Sequence, residues 1–223
     1  MQEPLLFEER ERVAAACRRL AEAGLVRGTA GNVSVRARDA IAITPTGAPL
    51  ETVGAAEVTV IDLEGRVLTG DLAPTSELAL HLGVYARYGA GAVVHTHAPV
   101  STAISCVLDE LPCVHYEMVR LGGPVRVAPY ETFGTPELAV AAVEALEGRT
   151  AALLANHGTI AFGADLDAAV GATELLEWCS TVYWRAASMG TPRVLDEAAR
   201  QAVVDVATAR SYGSTQPTGE TRA

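Results

Sequence analysis

The first amphipathic segment of the chain spans residues 5 to 23. Apolar residues recur there at helical spacing, at Leu6, Val13, Cys17 and Leu20. Gly24 follows at a position where helices often end, so the pattern predicts an opening helix with one buried side. Short β-type runs come next, at 33–35, 40–44 and 58–63, with Gly, Pro and Asp between them. This spacing predicts a meander of strands.

Helical and strand-type segments alternate through the rest of the chain. Helical periodicity marks residues 76–88, 100–107, 135–147, 165–189 and 195–210, and buried-strand runs lie at 92–97, 125–129, 151–155 and 159–162. No internal repeat or long linker interrupts the series. We therefore predict an α/β fold in which a mixed central β-sheet is covered by helices on both sides. The predicted single domain covers residues 1–213, and residues 214–223 are predicted to be a disordered tail.

Composition narrows the class of protein. The chain of 223 residues is 49% hydrophobic and 20% charged, which is typical of a soluble globular domain. Its net charge of −10 argues against a nucleic-acid partner, because binding to a phosphate backbone usually needs a basic surface. The acidic N-terminus is unlike a secretory signal, and no apolar run reaches membrane-spanning length. We expect a cytoplasmic protein with a small-molecule substrate and no membrane partner.

Cysteine and lysine usage excludes several chemistries. The four cysteines, Cys17, Cys106, Cys113 and Cys179, form no Cys-x-x-Cys pair, and we expect them to be reduced core residues. All 17 basic residues are arginines. The absence of lysine excludes a Schiff-base aldolase, a pyridoxal-phosphate enzyme and a P-loop lysine. Carbonyl chemistry in this chain would therefore need a metal.

Three histidines form the candidate metal site. His95 and His97 are separated by one residue in a predicted strand, so both side chains point to the same face. Such a pair alone is more often a hydrogen-bonded surface feature than a metal site. His157 lies in an Asn-His-Gly turn just past another apolar strand, where an imidazole would stand at the end of the sheet. Three imidazoles would leave the fourth position of a catalytic zinc ion open for water or substrate.

Other polar residues gather near helix starts and turns. Glu77 begins a predicted helix, where an acid complementing the helix dipole is the simpler interpretation. His81, four residues later on the same face, is interpreted as a helix-packing residue. The segments 28–34, 44–47 and 74–76 are rich in small hydroxyl, amide and glycine residues. Backbone N–H groups in such loops can bind phosphate without lysine, although each is as typical of an ordinary turn.

Seven motifs taken together are more specific than any one alone. In chain order they are GTAGNVSVR, ITPTG, PTSE, VVHTHAP, HYEMVRLGG, PYETFGT and NHGTIAFG. They resemble the class II L-fuculose-phosphate aldolase family, over a stretch from about the first helix to residue 190. The resemblance implies a single catalytic α/β domain, one zinc ion per subunit, and a homotetramer with active sites between subunits.

The resemblance also implies roles for single residues. His95, His97 and His157 would be the zinc ligands, and Glu77 would be the catalytic acid/base and a further ligand before substrate binds. The phosphate pocket of the family corresponds to Gly31, Asn32, Thr46, Gly47, Thr75 and Ser76, with Thr75 in place of an expected serine.

Three aromatic residues complete the implied site. Tyr116 corresponds to the tyrosine that protonates the departing aldehyde oxygen, and Phe133 to an aromatic residue of the pocket wall. Tyr212 resembles a C-terminal tyrosine of the family. Tyr116 and Tyr212 would reach the zinc site of a neighbouring subunit.

The implied reaction is cleavage of L-fuculose 1-phosphate, or a similar deoxyketose 1-phosphate, to dihydroxyacetone phosphate and an aldehyde such as L-lactaldehyde. Methylthioribulose-1-phosphate dehydratases, pentulose-phosphate 4-epimerases and related decarboxylases are similar and stay open as alternatives. Glu77 favours an aldolase or dehydratase, since the epimerases usually carry an aspartate there. Adducin-like binding modules generally lack the histidines, and a carbonic-anhydrase-like site would leave the three candidate phosphate loops without a role.

Overall fold

The computed structural model describes residues 5–210, which form six α-helices, nine β-strands and one 3-10 helix. The helices are α1 (Phe7–Glu22), α2 (Leu78–Tyr88), α3 (Pro99–Ser105), α4 (Pro136–Ala145), α5 (Leu166–Met189) and α6 (Glu197–Ala209). The strands are β1 (Gly31–Ala37), β2 (Ala40–Ile43), β3 (Thr59–Asp62), β4 (Val67–Thr69), β5 (Ala92–Thr96), β6 (Glu110–Leu111), β7 (Val125–Ala128), β8 (Ala151–Leu154) and β9 (Gly158–Gly163). The 3-10 helix is Tyr116–Leu121.

All nine strands join one sheet in the order β4-β3-β2-β1-β5-β9-β8-β7-β6. Every neighbouring pair is antiparallel except β7 and β8, which are parallel. The predicted mixed sheet is thus confirmed, and so is the meander, which is β1 to β4. β4 and β6 were not predicted, because strands of three and two residues are too short to show a period.

The two faces of the sheet are visible in β5. Ala92 and Val94 pack in a core cluster with residues of α1 and α5, whereas Val93 packs in a second cluster with residues of α2 and α4. Successive strand residues point to opposite faces, so helices cover both sides of the sheet, as predicted. β5 lies in the middle of the sheet and is buried along its whole length.

The cysteines are free thiols in the described chain. Cys17, Cys113 and Cys179 are buried as expected, but Cys106 is exposed. The prediction was wrong for Cys106 because it forms the C-terminal cap of the short helix α3, at the protein surface. Within residues 5–210, no helix combines the length and apolar character that crossing a bilayer requires.

Candidate metal centre and active site

The three histidines come from the middle of the sheet. His95 is the fourth residue of β5, and His97 follows one residue after that strand ends. Asn156 adopts the left-handed conformation, with φ 54°, and turns the chain between β8 and β9 so that His157 stands at the same sheet end. A side chain at Gly158 would collide with the carbonyl oxygen of Thr96, which explains the glycine after His157.

The imidazoles form a nearly symmetric triangle. Each pair of ring centroids is 4.9 Å apart, and the ring planes cross at 71–83°. The Nε2 atoms of His95 and His97 are 3.0 Å apart. Ligand atoms of the three histidines and Glu77 all lie within 4.8 Å of one another. Nitrogens bound tetrahedrally to one zinc ion at 2.0–2.1 Å would be separated by about 3.3 Å, so the cluster has the right size.

Hydrogen bonding fixes the tautomer of His95. Its Nδ1 lies 2.8 Å from the carbonyl oxygen of Thr159, which can only accept, so Nδ1 carries the proton. The lone pair of Nε2 therefore points to the centre of the cluster, where Oε2 of Glu77 is 3.0 Å away. Oε1 of Glu77 is buried without a hydrogen-bond partner in the described chain and lies 3.4 Å from Nε2 of His157. Lone pairs facing one another in a buried cluster are stabilised by a cation, so these donors fit a metal ion.

The pKa shifts agree with a ligand cluster. Burial works to raise the pKa of Glu77, but the close contacts of its carboxylate with His95, Asn32 and His157 outweigh burial and hold this pKa at about 2. Burial, with the neighbouring His95 and His157, lowers the pKa of His97 to about 4. Burial followed by the charge of His95 also lowers the pKa of His157. At neutral pH the carboxylate is charged and His97 and His157 are neutral, which are the forms that bind metal.

Glu77 is positioned by two connected loops. It caps the N-terminus of α2, and its backbone N–H donates to Oγ1 of Thr75 at 3.2 Å. The loop before it pairs with the loop after β2, since the N–H of Thr75 donates to Thr44 and the N–H of Thr46 donates to Ala73. The loops predicted at 44–47 and 74–76 are therefore held side by side.

A cavity of about 160 Å³ opens above Glu77. Its described lining includes all six residues of the predicted phosphate pocket together with two of the histidines and Phe133. These residues are Gly31, Asn32, Thr46, Gly47, Thr75, Ser76, Glu77, His97, His157 and Phe133. His95 lies behind them, with its side chain fully buried. None of the described lining residues is an arginine, so a phosphate held here would be bound by neutral donors.

Several backbone N–H groups in the predicted phosphate loops are already used, among them those of Thr46 and Thr75. These two donate to carbonyl oxygens, so they are not free for a phosphate. The expectation that each loop offers its N–H groups thus needs correcting at these two positions, because the loops pair with each other. The Thr46 and Ser76 hydroxyls lie in the same loops and remain candidates for this contact.

The aromatic residues are placed differently. Phe133 lines the cavity with two thirds of its surface exposed, and the loop that carries it packs so closely on Ser76 that a side chain at Gly134 would touch the Ser76 carbonyl oxygen. Tyr116 begins the 3-10 helix and faces an apolar groove beside α6, so the described chain does not bring it into the cavity. Tyr212 lies outside the described residues.

Sequence reasoning missed part of the site. Thr29, Ala30 and Pro45 also line the cavity; they lie in the predicted loops 28–34 and 44–47 but were not named singly. His81 was interpreted as a packing residue, but it is fully buried and hydrogen-bonded to Asn32 and Ser34 on β1. The sequence does carry a signal for this contact, because β1 alternates polar Asn32 and Ser34 with apolar Val33 and Val35. In the structure all four residues are buried. Two buried polar residues on one strand face call for polar partners.

The model of the Class II Aldolase and Adducin N-terminal domain family matches residues 11–184. The protein belongs to this family. It is 40% identical over 196 residues to a 5-deoxy-D-ribulose 1-phosphate aldolase of Bacillus thuringiensis serovar kurstaki, covering 86% of this chain and 92% of that one. It is 41% identical over 169 residues to the L-fuculose phosphate aldolase of Escherichia coli K12, covering 75% and 78% of the two chains.

Comparison of folds gives the same result. A solved L-fuculose 1-phosphate aldolase superposes with a TM-score of 0.87 at 34% identity, covering 93% of this chain and 98% of that one. The predicted family and fold are confirmed, as is the prediction of an aldolase and hence a lyase. Aldolases of class II depend on a metal, and the Glu77 and histidine cluster is able to hold one.

Proposed function

We propose that the protein is a zinc-dependent aldolase that cleaves a deoxyketose 1-phosphate into dihydroxyacetone phosphate and a short aldehyde. The observation that carries this proposal is the convergence of three imidazoles and Glu77 at a cavity whose other walls are hydroxyl- and glycine-rich loops. Metal ligands and candidate phosphate contacts therefore border one space. A ketose phosphate spans such a site with its phosphate on the loops and its carbonyl near the histidines.

The names of the relatives support two candidate substrates. A relative 42% identical to this chain is named as a 5-methylthioribulose-1-phosphate/5-deoxyribulose-1-phosphate aldolase, and the Bacillus relative carries a similar name. These names favour a 5-deoxypentulose 1-phosphate, whose aldehyde product has two carbons when the methylthio group is absent. L-fuculose 1-phosphate, which would give L-lactaldehyde, is supported by the Escherichia coli relative and the solved structure.

The metal would be held by His95, His97 and His157, with Glu77 as a fourth ligand in the resting protein. When bound, a divalent cation supplies a Lewis acid that draws electron density from the substrate carbonyl. Zinc is proposed because three imidazoles and a carboxylate form a donor set that zinc accepts in tetrahedral sites.

Protons would be moved by two residues. Tyr116 of a neighbouring copy acts at the aldehyde oxygen, which it protonates when the carbon–carbon bond forms. In the cleavage direction it takes the proton from the hydroxyl group that becomes this oxygen. The carbon–carbon bond then breaks, and its electron pair passes toward the ketone. Glu77, a carboxylate at neutral pH, takes up a proton from solvent and delivers it to the carbon next to that ketone, which completes dihydroxyacetone phosphate. The proton taken by Tyr116 passes to solvent. The Oε1 atom of Glu77, which is buried and has no hydrogen-bond partner within residues 5–210, supports this role.

A homotetramer with sites between subunits is part of the proposal. Tyr116 is 42% exposed, and its ring lies 4.6 Å from that of His115, which in turn contacts Trp178. Trp184 and Met189 further along α5 are also exposed. Exposed aromatic clusters of this kind are typical of contacts between proteins. Tyr116 and Tyr212 would then complete a neighbouring cavity, and light scattering during gel filtration measures the subunit number.

The deciding experiment is a cleavage assay on purified, metal-analysed protein. Candidate pentulose and hexulose phosphates are supplied in parallel, dihydroxyacetone phosphate is detected, and a chelator-treated sample is the control. Chelator-sensitive cleavage supports the proposal and ranks the substrates. Metal without cleavage of any candidate would contradict it and favour a dehydratase, epimerase or decarboxylase. A metal-free, inactive tetramer would favour an adducin-like binding module.

A further inference from the structure

A continuous line of hydrogen bonds runs from the interior of the protein to Glu77. The Tyr85 hydroxyl is 2.8 Å from Oγ of Ser34, and that Oγ is 2.6 Å from Nδ1 of His81. Nε2 of His81 is 2.5 Å from Oδ1 of Asn32, whose Nδ2 is 3.0 Å from Oε2 of Glu77. The residues come from β1 and from α2 with its cap, and each is buried, with 6% exposure at most.

The protons on this line can be assigned from its two ends. A carboxylate that binds a cation only accepts hydrogen bonds, so the NH2 group of Asn32 must face Glu77 and its oxygen must face His81. His81 therefore donates from Nε2. A neutral imidazole then accepts at Nδ1, so the Ser34 hydroxyl donates to it. The Tyr85 hydroxyl in turn donates to Ser34, and every donor points toward Glu77.

The opposite arrangement has a clear cost. If the Asn32 amide turned over, its oxygen would face the carboxylate of Glu77, and two acceptors would meet in a buried site. With Nε2 protonated, His81 would at the same time face the amide hydrogens of Asn32. His81 thus adds a second constraint to that of the Glu77 carboxylate and holds the Asn32 side chain from its other end.

We propose that His81 is a positioning residue for the reaction, acting through Asn32 to hold Oε2 of Glu77 and leave Oε1 open. This inference rests on the proposed function of Glu77 as ligand and acid/base. Oε2 carries the hydrogen bond from Asn32, whereas Oε1 has no partner in the described part of the chain. The two oxygens are therefore different, and His81 supports the difference through Asn32 although it does not line the cavity.

Two substitutions at His81 separate this role from packing. His81→Leu keeps a similar volume but has no hydrogen-bonding atoms, so the Asn32 oxygen loses its donor and the amide is held only by its contact with Glu77. His81→Gln retains an N–H donor and an acceptor and should keep Asn32 in place. We expect His81→Leu to lower the kcat for cleavage and the affinity for Zn²⁺ alone by 10- to 100-fold, the range found for partners of metal ligands. KM should stay within about threefold, since the other five residues of the predicted phosphate pocket are unchanged. His81→Gln should recover most of the loss in kcat and Zn²⁺ affinity, because it still offers Asn32 a donor.

Two tyrosines of α2, Tyr85 and Tyr88, control for the loss of a hydrogen-bonded hydroxyl. Tyr85→Phe removes the last donor of the line, whereas Tyr88→Phe removes a hydroxyl that donates to the carbonyl oxygen of Val143, outside the line. Ser34→Ala removes the donor to His81 directly. We expect Ser34→Ala and Tyr85→Phe to lower Zn²⁺ affinity and kcat by about threefold or more, and Tyr88→Phe to change neither.

Zn²⁺ affinity and the absorption spectrum of the Co²⁺-loaded protein are measured beside activity. If the wild type cleaves no sugar phosphate but His81→Leu still weakens Zn²⁺ binding and alters the Co²⁺ spectrum, the proposed reaction fails and the positioning role stands. Equal kcat and Zn²⁺ affinity in the wild type and His81→Leu would overturn the positioning role. Should His81→Leu not fold, Ser34→Ala and Tyr85→Phe provide the test. A kcat and a Zn²⁺ affinity equal to those of Tyr88→Phe would then also overturn the positioning role.

Discussion

Replacing Glu77 by Gln changes one atom at the centre of the candidate site. Asn32 donates to the position of Oε2, so the new amide must place its oxygen there. Its NH2 group then takes the position of Oε1, 3.4 Å from Nε2 of His157, where the carboxylate has no hydrogen-bond partner within the described chain. Glu77→Gln thus puts a fixed donor where the proposed mechanism needs an atom that exchanges a proton.

The size of the effect follows from the lost proton transfer. A positioned acid/base group contributes roughly 10²- to 10⁴-fold to a rate, so kcat should fall by that factor, or by about 3–5 kcal/mol in the barrier. KM should change little because the phosphate loops are intact. Zn²⁺ should stay bound, since the three imidazoles remain.

Single-turnover cleavage and metal analysis on the same sample test both statements. Glu174→Gln is the matched control, because this partly exposed carboxylate pairs with Arg19, away from the cavity. Near-normal turnover in Glu77→Gln would refute the acid/base assignment. Complete loss of the metal would make Glu77 chiefly a ligand.

Three further predictions concern stability. Removing the metal with a chelator should lower the melting temperature by roughly 8–16 °C relative to metal in thousandfold excess over Kd, and a shift below about 2 °C would show that the cluster holds no ion. Glu177→Ala should lower the free energy of unfolding in urea by about 2–4 kcal/mol, since the carboxylate accepts hydrogen bonds from the N–H groups of Val100 and Ser101 at the start of α3. An equal loss in Glu174→Ala would contradict this. The metal-free protein should lose stability as pH falls from 6.5 toward 3, because burial lowers the folded-state pKa of His81 to about 3 and the unfolded chain then binds more protons. Urea titrations of His81→Gln should show a shallower slope of unfolding free energy against pH, and a slope equal to that of the wild type would rule out His81 as the cause.

The longer elements could be predicted from the sequence because their periodicity is local. The predicted helix at 165–189 appears as Leu166–Met189, and the strand at 151–155 as Ala151–Leu154. β4 and β6 could not be predicted, since their pairing with β3 and β7 is decided by the tertiary structure rather than by their own residues. The 3-10 helix that carries Tyr116 has only six residues, which is too short to show a helical period.

The candidate site could be predicted only in part. The His95 and His97 pair follows from the strand period, and His157 from its position after a strand. The role of His81 did not follow, because its partners Asn32 and Ser34 lie 49 and 47 residues away and meet it only when α2 packs on β1. Tyr116 is a different case, since its proposed role depends on a second copy of the chain.

The register of the central strands joins the stability of the fold to its chemistry. Asn32 lies directly opposite His95 in the pairing of β1 with β5, and Thr159 pairs with Thr96 in the pairing of β5 with β9. A slip of one residue would turn Asn32 to the face of α1 and α5 and bring Val33 to the side of His95. Val33 and Val94 are packed in the α1 and α5 core, so burial of these valines opposes the slip. The same apolar packing that stabilises the sheet therefore holds the polar line to Glu77 in place, and substitutions that loosen this core should affect metal affinity before they unfold the protein.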